Sequence, residues 1–143
     1  MSVGCVLDRV RDVLLSDTGI NDWCQTRYGR LPEVQIGVGI SPPPLESYPM
    51  ILILEVRCAG ERQGNARRPV YEVWISLGVV AGEPVTDGRC REMPGIREVE
   101  IFREQVASAL TGASIGKVEV QEHAGQDSIG PVAVTAFMVT IQQ

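Results

Sequence analysis

The chain has 143 residues, enough for one compact domain (1–143) with its own core. An apolar content of 44% and a charged content of 22% exclude a disordered chain. A formal charge of -5 excludes a general polyanion binder.

In chain order, Ser2 is placed to cap a helix in which Val3, Val6, Leu7, Val10, Val13 and Leu14 recur at three- and four-residue steps. Gly19 is the expected stop. "INDWC" adds at most a short helical turn, with Trp23 folded back on the core. "EVQIGVGI" (33–40) alternates, with Val34, Ile36, Val38 and Ile40 on one side and Gln35, Gly37 and Gly39 on the other, as in a half-buried strand. "SPPPLESYP" breaks regular pairing and predicts a stiff connector or exposed arm.

"MILILEVRC" predicts a strand with Leu52, Leu54, Val56 and Cys58 inward and Ile51, Ile53, Glu55 and Arg57 on the opposite face. "VYEVWISLGVV" mirrors it, with Tyr71, Val73, Ile75, Leu77 and Val79 on one face and Glu72, Trp74, Ser76 and Gly78 on the other. The two form an antiparallel pair whose tip leaves the core. "GEPVTDGRCREMPG" reads as a loop. A second helix follows, with Val99, Phe102, Val106, Ala109 and Leu110 inward, and Gly112 just past its end. "IGKVEVQE", with Val118 and Val120 inward, and "PVAVTAFMVTIQ" close the chain as strands, joined through the turn region "HAGQDSIG".

This order predicts an α+β fold: a mainly antiparallel sheet of about five strands, two helices on one face, and a long β-hairpin arm. If nothing in the chain covers the other face, another subunit is expected there.

No catalytic constellation stands out. His123 is the single imidazole, and neighbouring Glu122 points to the opposite side of a strand, so a surface histidine is the plainer reading. Neither "GVGISPPP" nor "AGERQGNARRP" fits a phosphate loop. The cysteines at 5, 24, 58 and 90 form no CxxC, and Cys5 and Cys58 read as small buried hydrophobes in a reduced setting. No cofactor or metal is expected. The N-terminus lacks an uninterrupted apolar core for a signal peptide, and "MILIL" is too short to span a bilayer.

The segment between the two long strands remains. Arg57, Glu61, Arg62, Arg67 and Arg68 give it three excess positive charges, leaving about -8 on the rest of the chain. Of 13 basic residues, 12 are arginine, and Lys117 is the one lysine. A solvated loop is the plain reading. The alternative is a docking arm in which Arg57, Arg62, Arg67 and Arg68, with Tyr71 and Trp74 at its base, meet a carboxylate-rich surface of another copy, head to tail.

The helix "VLDRVRDVLL", the proline-marked loop, the hairpin "YPMILILEVR…PVYEVWISLGVV", the helix "EVEIFREQVASAL" and the strand "PVAVTAFMVTIQ" resemble the tail terminator proteins of long-tailed bacteriophages. The resemblance implies a non-enzymatic virion protein. It forms a ring, commonly a hexamer, that caps the tail tube, stops its polymerisation and meets the head connector. It also implies as partners the tube protein, neck proteins and the tape measure protein, with DNA passing the lumen without sequence-specific contacts. The expected location is the head-proximal end of the tail, after assembly in the host cytoplasm. Another phage neck protein would give a similar pattern. A small ligand-binding domain would instead need a pocket lined by Tyr71, Trp74 and His123.

Overall fold

The computed structural model describes residues 2–39, 41–60, 69–123 and 125–143. Helix α1 (Val3–Ser16) starts where Ser2 Oγ accepts the Cys5 amide at 3.1 Å, and buries Val6, Val10 and Leu14. It ends at Asp17, two residues before the expected stop at Gly19. The Asp17 carboxylate accepts the Ile20 amide at 2.9 Å and so begins a new helix, α2 (Thr18–Tyr28), closed by Gly29 at φ 72. A full second helix therefore stands where only a turn was expected, and the described residues form three α-helices, not two, with α3 at Ile96–Thr111. Only Ile20 and Cys24 of α2 are buried, too few to write a stripe into the sequence.

The strands are β1 (Glu33–Ile36), β2 (Met50–Gly60), β3 (Val70–Val80), β4 (Val85–Asp87), β5 (Cys90–Glu92), β6 (Lys117–His123), β7 (Asp127–Ile129) and β8 (Val132–Gln142). Six of them form one sheet in the order β1-β2-β3-β8-β6, with β7 also on β8. The sheet is mixed, because β1 runs parallel to β2 while the other pairs are antiparallel. Strand β1 is half its expected length. Gly37 turns to φ 83 while its amide still donates to Ile53 O at 2.8 Å. The expected loop at 82–95 contains the β4–β5 hairpin, turned at Gly88 (φ 60) after an Asp-Gly signal.

The β2–β3 hairpin pairs as predicted, from Met50↔Gly78 to Gly60↔Val70. The inward face of β2 does not. Ile51 and Ile53 are buried in the core, and Leu52 lies on the other side. A bulge between Ile53 and Glu55 then shifts the alternation, so Val56 rejoins the core side opposite Val73. Cys58 is exposed and Cys5 half-buried, so neither is the buried hydrophobe expected. Cys24 is the buried thiol, pushed up to about 12 by desolvation. Val120 faces the core side as expected, opposite Val139, but on edge strand β6 it stays 40% exposed.

All three helices cover one face of the sheet. Phe102 and Val106 of α3, Val10 and Leu14 of α1, and Ile75 and Phe137 of the central strands meet in one core. Trp23 stacks on Phe102 at 5.4 Å, as its folding back on the core requires.

Candidate functional site

The opposite, outer face of the sheet has two unlike halves. At the Met50 end, residues 41–49 cross it as a strap. The strap is seated by Tyr48, whose ring occupies the space a side chain at Gly78 would need: a Cβ there would lie 2.6 Å from Tyr48 Cε1. Burial raises the Tyr48 phenol above its ordinary value. Between strap and sheet runs an apolar groove of about 360 Å³, lined by Pro42, Pro43, Leu45, Met50, Leu52 and Val134 among others. Leu45 remains 50% exposed above it.

At the other end the face becomes polar. Register places Glu55, Trp74 and Met138 in one row, and Arg57, Glu72, Thr140 and Glu119 in the next. Arg57 Nε donates to Glu72 Oε2 at 2.7 Å, which raises the guanidinium above its ordinary value. Lys117 Nζ lies 3.1 Å from Glu119, and Gln121 Nε2 donates to Thr140 Oγ1 at 3.1 Å. Trp74 is half-buried.

A second, more polar cleft of about 250 Å³ lies where α2, α3 and the β4–β5 hairpin meet. Four of its charged groups are paired across elements, Arg27 with Glu98 at 2.6 Å and Arg97 with Glu92 at 2.7 Å. The Tyr28 hydroxyl is buried there without a hydrogen-bond partner among the described residues. Burial, ahead of nearby charges, pushes its phenol up to about 12. Glu98 and Glu92 thus tie α3 to α2 and to the β4–β5 hairpin as counter-ions. Among the described residues no group of three or more His, Cys, Asp or Glu side chains is placed to hold a metal, and no helix is long and apolar enough to cross a membrane.

Of the residues singled out in the sequence, Arg57 and Trp74 share the outer face. Tyr71 does not. It is 3% exposed on the core face, paired across the sheet with Ile141, and has almost no surface to offer a partner. Arg62, Arg67 and Arg68 lie outside the described residues. The pocket of Tyr71, Trp74 and His123 required by a ligand-binding reading does not form. Tyr71 and Trp74 are on opposite faces, and His123 sits at the end of β6 opposite Phe137. Sequence reasoning missed the strap's seat. Its signal was Gly78, a bare position in an otherwise large-residue strand.

The chain matches no protein-family model, and no curated protein matches it significantly.

Proposed function

We propose that this protein is a structural assembly component of the tail terminator type. A homo-oligomeric ring, of six copies in the resemblance, caps a phage tail tube, halts its growth and meets the head connector. The observation that carries this reading is the outer sheet face. Strands β2, β3 and β8 bury one side under three helices and leave on the other an apolar groove beside a polar, aromatic-bearing patch. A monomer gains nothing from such a surface, whereas a subunit that must fit copies of itself and a tube end uses it. The arginine-rich segment supplies a basic element on a net acidic chain, suited to setting register between subunits. No chemical step is assigned; Arg57–Glu72, Arg27–Glu98 and Arg97–Glu92 are ion pairs that hold elements together. The ring's place is the head-proximal end of the tail.

Negative-stain microscopy of the purified protein, alone and with tail tubes, tests this directly. Rings, or tubes capped at one end, are expected. The Arg67→Glu/Arg68→Glu variant should keep its fold and lose capping. Rings that bind the head connector and ignore tubes would move the protein to the head side of the neck, and monomers under all conditions would defeat the reading.

A further inference from the structure

We infer that the polar half of the outer face, centred on Glu55 and Trp74, is a seat for an arginine side chain from segment 61–68 of a second copy of this chain. This rests on the ring reading and specifies which surface receives the arm.

Three observations converge on the seat. First, Glu55 and Trp74 are direct cross-strand partners on the outer face, which sets a carboxylate beside an indole. A guanidinium suits that combination better than an ammonium does. It is planar and weakly hydrated, stacks on an aromatic face and still presents a fork of donors to a carboxylate. Second, the cations already in the patch are engaged elsewhere, Arg57 on Glu72 and Lys117 on Glu119. Glu55 forms no ion pair among the described residues and acts on Arg57 only through its charge. Third, nothing among the described residues stacks on Trp74, whereas the chain's other tryptophan packs against both Tyr28 and Phe102.

The occupant follows from charge. Segment 61–68 carries Arg62, Arg67 and Arg68 against the single Glu61. Six of the nine arginines outside it (11, 27, 30, 57, 97 and 103) are in ion pairs of their own. The choice of a second copy over the same chain follows from the ring reading, and mixing separates the two, because only a contact between chains is restored when two variants are combined.

A charge-swap mixing experiment on the full chain, followed by sedimentation velocity, decides the matter. Glu55→Arg alone and Arg67→Glu/Arg68→Glu alone should each self-associate at least tenfold more weakly than wild type, because each juxtaposes like charges. Mixed one to one, they should reassemble to the wild-type size. Every arm–seat contact in an alternating ring is then complementary, either Arg67/Arg68 on Glu55 or the two glutamates on the new arginine. Trp74→Ala should weaken association without changing its salt dependence. Failure of the mixture to reassemble, or unimpaired assembly of either variant alone, overturns the seat. If wild-type rings persist in that case, the ring reading survives. A wild type that never self-associates, even with tubes present, overturns both. Reassembly in the mixture also excludes loss of folding as the cause of the single-variant defects.

Discussion

The two faces of one sheet follow different rules. On the helix side every row ends in close packing: Ile53, Ile75 and Phe137 lie side by side beneath Phe102 and Val106, each at or near zero exposure. On the outer side the same strands carry Leu52, Ser76 and Ala136 in one row and Glu55, Trp74 and Met138 in the next, with only the strap as cover. The first face holds the domain together, and the second is the one the proposed ring would use. On that proposal stability and assembly fall to different residues on the same strands, separable by mutation.

The largest effect should come from Phe102→Ala, which empties the centre of the helix-side core and should cost about 3–5 kcal/mol in urea unfolding. Trp74→Ala on the outer face should cost about 1 kcal/mol or less. Similar costs for both would erase the distinction between the faces. Next comes Gly78→Ala. Its Cβ would meet the Tyr48 ring, so the strap must lift, at about 1–3 kcal/mol. Released from burial, the Tyr48 phenol should titrate closer to its ordinary value in a spectrophotometric titration. An unchanged titration would mean that the strap adapts in place.

Asp17→Ala removes the side-chain cap at the start of α2 while leaving the backbone amide that closes α1, and should cost about 1 kcal/mol with a loss of helical circular dichroism. The smallest effect concerns Glu100 on α3. Its carboxyl is held below the usual carboxylate range, first by the hydrogen bond from Arg103 and then, against some desolvation, by Gln126 from the β6–β7 link. A lowered folded-state value stabilises the protein above the unfolded value of about 4.3, and that contribution is lost as pH falls through the folded value. Glu100→Gln should therefore be less stable than wild type at pH 6–7 by under about 1 kcal/mol. The two should converge in acid, and a gap that persists at pH 2–3 would rule out ionisation as its source.

Much of the helix-side frame was legible from spacing alone. The stripes Val6–Val10–Leu14 and Val99–Phe102–Val106–Leu110, and the alternation of β3 from Tyr71 to Val79, are all buried where the sequence puts them. These elements are periodic because a packed layer lies against them along their whole length. What was not legible depends on tertiary context. Helix α2 is set by one capping carboxylate, since its own amphipathic signal is weak. The parallel pairing of β1 is a choice of partner that local pattern does not encode. Both faces of β2 begin with apolar residues, Met50 to Leu54, and the longer apolar run through Val56 and Cys58 pointed to the wrong one as inward. The outer-face site was half legible: Arg57 and Trp74 stood out as arm and base, but Glu55 became meaningful only once register set it beside the indole.

The single unpaired residue at Leu54 has a consequence for how this chain can vary. In an uninterrupted strand Glu55 and Arg57 would share the side of Ile51 and Ile53, and two charges would be driven beneath the helices. One added residue reverses the parity of everything after it. A substitution at this point changes one side chain, and a deletion would close the bulge: Glu55 would follow Ile53 directly and still face out, with Val56 still inward. What the strand cannot lose is the bulge while it keeps Leu54, because an uninterrupted ladder of that length would carry Glu55 and Arg57 beneath the helices.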